Sequence, residues 1–229
     1  MGAGAARRAW ARLAGLPRLD GLQVVVDAES PLGRRGWIGI LALDGTVTAC
    51  VPRGDLERPV TAALGGLTTE EATSPDVVRA RLPATRGVLG PAALFYPPVG
   101  FGVGEVPGVE EASSDDLQGL FRVVAPDELD ESGLREVTGP AFACRSAGGD
   151  LAAVCGYRRW PNGVAHLSVL AHPSHRREGH AGRAALAAIR RAIDDDLLPQ
   201  WRARPPASRA LARRLGLVEL GAQLSLEPV

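Results

Sequence analysis

From residue 141 onward the chain alternates strand-like and helix-like runs with almost no slack between them. AFACR (141–145) and LAAVCGYRRW (151–160) are apolar, strand-like and joined by a Gly148-Gly149-Asp150 turn. Asn162-Gly163 marks a second tight turn, since a two-residue hairpin loop needs positive φ at its centre, and VAHLSVLA (164–171) follows as the third strand. GRAALAAIRRAID (182–194) then spaces alanine and leucine to give one apolar helical face. LLPQWRA (197–203) reads as a strand, ASRALARRLG (207–216) as a helix stopped by Gly216, and VELGAQLSL (218–226) as a last strand. A meander that passes into strand–helix alternation buries its apolar faces as a mixed α/β sheet, and this is the expected fold class, α/β (α+β).

The first hundred residues are less informative. Residues 7–16 suit a short amphipathic helix; LQVVV (22–26), WIGILAL (37–43) and TVTACV (46–51) are β-like, with Asp44-Gly45 as a hairpin turn between the last two. Helical pieces are expected near 55–66 and 74–82, and VLGPAALFY (88–96) suits either a strand or a buried helix end. No catalytic motif stands out in this α+β unit. PPVGFGVGEVPGVEEASS (97–114) is rich in Gly and Pro, lacks periodicity and reads as a linker or long surface loop. The expected domains are therefore 1–100 and 115–229. The second opens with a helix from Ser114 to Leu120, with Ser114 as its cap and Asp115 and Asp116 in its first turn, and a short helical stretch follows at 125–134.

The chemistry concentrates in HPSHRREGHAG, between the strand at 164–171 and the helix after it. The first N–H groups of a helix have no intrahelical partner, and the helix dipole adds positive partial charge there. Gly179, Ala181 and Gly182 keep the backbone bare, and Arg176 and Arg177 can add charge-assisted bonds, so the turn suits a diphosphate. It lacks G-x-G-x-x-G, and it cannot be a Walker-type loop, because the chain has no lysine. It resembles instead the signature of the GNAT superfamily of acetyl-CoA-dependent N-acetyltransferases, Arg/Gln-x-x-Gly-x-Gly/Ala with a proline three residues upstream. Here that is Arg176-Arg177-Glu178-Gly179-His180-Ala181 with Pro173. The family's later Ser-x-x-Leu…Leu-Gly-Phe pattern is matched by Ser208, Leu211, Leu215 and Gly216, with Leu217 in place of the Phe. The resemblance covers about 115–229.

It implies a mostly antiparallel GNAT-type sheet flanked by helices, and an enzyme that moves an acetyl or other acyl group from acyl-CoA to an amine by direct attack. By that resemblance Val169, Leu170 and Ala171 would bond the pantetheine and acyl carbonyl. Arg176, Arg177, Glu178, Gly179, His180, Ala181 and Gly182 would hold the pyrophosphate, with Ser208 also on the cofactor side. The candidate catalytic residues are His166 and Ser168, on one face of the loop-bearing strand, and Glu131 in the stretch before the sheet. Each also has a structural reading: His166 as a packed strand histidine, Glu131 as part of a solvated acidic helix face. The family's tyrosine acid is replaced by Ala212. Two other functions stay open, a non-catalytic acyl-CoA-binding or regulatory module, and a different chemistry on the same fold. The first unit is either a degenerate GNAT-like half or a cover for one sheet face.

Composition narrows the partners. With 26 basic and 26 acidic residues the formal charge is zero, which gives no sequence-independent grip on nucleic acid. No apolar run approaches the ~18 residues of a membrane span, and the N-terminal stretch does not read as a signal peptide. Cys50, Cys144 and Cys155 fit no metal spacing and are expected as reduced core residues; His172, His175 and His180 are expected at the solvent side of the loop, not on a metal. The expected setting is cytoplasmic, with acetyl-CoA or another acyl-CoA as co-substrate, no metal, a small amine acceptor and a possible homodimer.

Overall fold

The computed structural model describes residues 2–82 and 84–229. In order the elements are α1 (Ala3–Leu13), β1 (Leu22–Val26), β2 (Ile38–Leu43), β3 (Thr46–Val51), α2 (Glu57–Leu64), α3 (Pro75–Arg81), β4 (Thr85–Tyr96), β5 (Val109–Glu111) and α4 (Ser114–Val123). They continue with α5 (Pro126–Ser132), β6 (Ala141–Arg145), β7 (Leu151–Trp160), β8 (Val164–Ala171), α6 (His180–Asp194), β9 (Leu198–Ala203), α7 (Pro206–Arg214) and β10 (Val218–Pro228). The architecture is mixed α/β with mostly antiparallel strand pairing. Two compact units form. One holds the chain up to Pro98 with Arg202–Arg213 and Leu217–Val229; the other holds Val99–Trp201 with Arg214–Gly216.

In the first unit the strand order is β1-β3-β2-β10-β4. β1 and β3 pair parallel, whereas β2–β3, β2–β10 and β10–β4 are antiparallel. Leu43 pairs with Thr46 around Asp44-Gly45, both with positive φ, as the hairpin signal requires. Every residue of β2 and β3 is buried, which explains why these strands carry no charged residue and do not alternate in polarity. Ile38, Ile40, Val47, Val51, Leu224 and Leu226 pack with Val60 and Leu64 of α2 and Val78 of α3. The buried Trp10 indole donates to the Tyr96 hydroxyl at 2.6 Å, tying α1 to β4.

The second unit pairs β5, β6, β7 and β8 as an antiparallel meander, with β9 parallel to β8. One face is covered by α6 through Ala184, Ala185, Ala188, Ile189 and Ala192. On the other, Leu120 and Val124 of α4 and Leu129 of α5 join Leu134, Ala143, Val154 and Leu170 in one cluster. All three cysteines are buried. Burial pushes each thiol above its usual range, and for Cys155 burial is the whole cause.

Several elements differ from expectation, each for a local reason. Of the two alternatives expected for 88–96 the strand holds, extended back to Thr85, because β10 pairs along it. The stretch 97–114 includes β5, which pairs with β6 at Val109↔Cys144 and Glu111↔Phe142. Ser113, not Ser114, caps α4: its side chain accepts from the Asp116 N–H, and the Asp116 carboxylate returns the bond to the Ser113 N–H. The last helix-and-strand stretch, grouped in sequence with 115–229, counts mainly with the first unit by contact.

Candidate functional site

β8 organises the site. β7 pairs with it along its full length, from Trp160↔Val164 to Ala153↔Ala171. On the other edge β9 pairs at Val164↔Leu198, Ala165↔Pro199 and His166↔Gln200, and among the described residues that pairing ends there. β8 continues as a strand to Ala171 without β9 beside it. Val169, Leu170 and Ala171 lie on the stretch beyond the fork.

Alternation along β8 puts His166, Ser168 and Leu170 on one face. Leu170 belongs to the cluster with α4 and α5, so this is the face those helices cover. Ser168 is 3% exposed, and a Cβ built at Gly133, just after α5, would lie 3.2 Å from its hydroxyl. Glu131 is an exposed residue of α5. The three catalytic candidates thus share one side of the sheet, with Ser168 tucked under the end of α5.

His166 stands at the last paired position of the fork. Its ring stacks on Trp160, with centroids 4.5 Å apart and planes 22° from parallel. Its Nδ1 lies 3.2 Å from Oε1 of Gln200, a side chain only 1% exposed. The expectation of a packed strand histidine with a hydrogen-bond partner fits this contact, and the same contact sets the ring's chemistry. Gln200 was not singled out from sequence. The available signal was an amide between the apolar Pro199 and Trp201, which must find a partner if buried.

Beyond Ala171 the chain makes a 3₁₀ turn, Pro173–His175, before α6. The His172 ring accepts from the Ser174 N–H at 3.2 Å and shapes this turn. Arg177 (φ 70) and Gly179 (φ 88) hold positive φ, and Gly179 is the N-cap of α6. A Cβ at Gly179 would meet nothing within 4 Å, so the glycine serves the backbone conformation and not a close contact. The helix begins at His180, two residues before the expected start. The first-turn N–H groups of His180 and Ala181 lie outside the i→i−4 ladder and at the positive end of a 15-residue helix.

The side chains around this turn are partly committed. Arg176 donates to Glu128 of α5 at 2.6 Å. Arg177 is exposed and forms no ion pair with a described residue. Glu178 lies 3.1 Å from His180 Nε2 and 3.6 Å from His175 Nδ1. His180 Nδ1 lies 3.4 Å from the Cys144 sulfur. Burial raises the Cys144 pKa, with Arg183 offsetting part of that, so the thiol enters this contact protonated. The three loop histidines are half-buried and touch one another, His172–His175 at 5.4 Å and His175–His180 at 6.3 Å, instead of facing open solvent as expected. Among the described residues no group of three or more His, Cys, Asp or Glu could hold a metal ion.

Ser208 is half-buried on α7 and belongs to the first unit. Ala212, on the same helix, is 0% exposed. A tyrosine there would have to displace packed core. Among the described residues no helix is long and apolar enough to cross a membrane.

The family model for GNAT acetyltransferase matches residues 143–221, a span that includes the fork, the glycine turn, α6 and α7. No curated protein matches the chain. Among solved structures it is similar to a GNAT-family acetyltransferase from Novosphingobium aromaticivorans DSM 12444, with 21% identity and a TM-score of 0.51 over 63% of this chain and 67% of that one. It is also similar to a GCN5-related N-acetyltransferase from Kribbella flavida, with 22% identity and a TM-score of 0.49 over 67% of this chain and 63% of that one. A GNAT-family acetyltransferase from Colwellia psychrerythraea matches at 13% identity and a TM-score of 0.48, over 63% of this chain and 58% of that one. The chain thus spans less than two thirds of the length of the last two. The fork, the glycine turn, α6 and α7 thus all lie within the segment that the GNAT acetyltransferase model matches.

Proposed function

We propose that the protein is an acyl-CoA-dependent N-acyltransferase, and the observation that carries this is the fork between β8 and β9, which opens directly into the N-terminus of α6. A strand edge left without a neighbour offers N–H and C=O groups to an extended amide chain, as pantetheine is. The turn that follows offers helix N–H groups and Arg177 to a diphosphate. An acyl carbonyl held by a strand N–H is polarised where the tetrahedral oxyanion would develop.

In this mechanism the neutral amine attacks the thioester carbonyl carbon, a C–N bond forms, and the C–S bond breaks to release CoA thiolate. The amine's surplus proton goes to a base. His166, at the fork, is the candidate best supported by position; Ser168 and Glu131 on the same side of the sheet would shape the acceptor pocket. No proton donor stands at Ala212, so the thiolate leaves on its own account, which a thiol pKa of about 8.5 allows. A small-molecule amine as acceptor and a cytoplasmic setting belong to the same proposal.

The buried Ala212 also favours a second function, acyl-CoA binding without transfer. The test is release of free thiol from several acyl-CoAs with a panel of amines, alongside a thermal shift with CoA. Amine-dependent thiol release supports the transferase. A CoA-induced shift with background thiol release supports the binding module, and neither signal removes both.

A further inference from the structure

On the basis that His166 is the base, we propose that Gln200 is its positioning residue, selecting the tautomer that carries the proton on Nδ1 and the lone pair on Nε2. An imidazole presents one donor and one acceptor, and the partner of one nitrogen decides the role of the other. Here Oε1 of Gln200 lies 3.2 Å from Nδ1. An amide oxygen only accepts, so Nδ1 donates and Nε2 is left as the basic nitrogen.

The support for this contact is built into the fold. Gln200 is 1% exposed, and a buried amide is stable only when it is hydrogen-bonded. Its place opposite His166 is fixed by the last register pair before β8 and β9 part. Trp160 stacks on the ring and holds its plane, and a half-turn of the ring within that plane would lose the Gln200 contact. The charged groups nearby are Arg158, directly opposite His166 on β7, with its ion-pair partner Glu136, and Glu131 on α5. A carboxylate at position 200 would also orient the ring, but would favour the imidazolium; the neutral amide orients it without adding a charge of its own.

The direct experiment is nitrogen NMR of the ¹⁵N-histidine-labelled protein at high pH, with a His166→Gln sample to assign the signals. The expected result is an Nδ1–H tautomer for His166; an Nε2–H tautomer would overturn the proposal. Because this uses the unaltered chain, it does not depend on any Gln200 variant folding. Kinetics give a second reading. Gln200→Leu should lower kcat by at least about tenfold, as loss of a tautomer-fixing partner does, with the KM for acyl-CoA within about twofold because the pyrophosphate turn is untouched. Gln200→Glu should move the acid limb of the kcat/KM profile up by about one pH unit, since an added negative charge favours the imidazolium. If His166→Ala abolishes turnover but the Gln200→Glu limb stays in place, the positioning role is wrong and the base stands. If His166→Ala keeps full activity, the base assignment fails, and with it any catalytic role for Gln200.

Discussion

Arg176 and Arg177 are neighbours in sequence and look equivalent there. In the fold they are not: Arg176 is engaged with Glu128, whereas Arg177 is exposed at a positive φ with no described ion-pair partner. Arg177→Ala should weaken CoA binding by about 1–3 kcal/mol, the worth of a charge-assisted hydrogen bond. Arg176→Ala should cost less, because its guanidinium is already shared with a carboxylate. Calorimetry with CoA measures both, and equal losses would count against the distinction. Gly179→Ala meets no steric obstacle but places a Cβ at φ 88, so it should cost roughly 1–2 kcal/mol of stability through the backbone alone. The glycine and the arginines were legible in the sequence because an anion-binding turn needs those residue types in that order. The Glu128 pairing and the His166–Gln200 contact were not. Each joins residues more than thirty positions apart, and no local pattern encodes such a meeting.

At the scale of elements, α6 is fastened to β7 at its far end. The Tyr157 hydroxyl donates to Asp195 at 2.9 Å, and Arg159 and Arg191 bind the same carboxylate at 2.6 and 3.0 Å. Burial, then the bond to Asp195 and its charge, push the Tyr157 pKa up to about 12. The hydrogen bonds from Tyr157, Arg191 and Arg159 hold Asp195 below the usual carboxylate range. Tyr157 is neutral in the fold, so its contribution is complete below the ordinary tyrosine value of about 10 and is lost as pH rises through about 12. Tyr157→Phe should therefore flatten the alkaline loss of melting temperature, and at neutral pH should cost about 1–2 kcal/mol for the lost bond and the orphaned acceptor. Asp195 behaves in the opposite sense: its contribution is present above the usual aspartate range and is lost as pH falls through its lowered value. Gly139 belongs to the same assembly, since a Cβ there would sit 2.5 Å from the Tyr157 ring. The long strands and α6 were readable from period and turn chemistry. β5 was not, because three residues in a Gly/Pro-rich stretch carry no period and only pairing with β6 defines them.

At the scale of the molecule, the placement of β10 was the least readable feature. The run 218–226 is plainly a strand, but a strand's neighbours are chosen by contacts distant in sequence. Local order gave no hint that it pairs with β2 on one side and β4 on the other. Without it the first unit loses the middle of its sheet, and two apolar strand edges are exposed. A chain ended after Gly216 should aggregate more than the full chain, read as a lower soluble fraction on expression and a larger void-volume peak in exclusion chromatography. The same placement bears on the order of events during synthesis. The ribosome delivers β1 to β4 early, yet their sheet cannot close until residues 218–228 have cleared the exit tunnel. The two strands that flank β10 must wait through the translation of the whole second unit, with unpaired edges at risk of wrong partners. That delay makes the first unit, although made first, the last to be finished, and makes the speed of translation through residues 99–217 a determinant of yield.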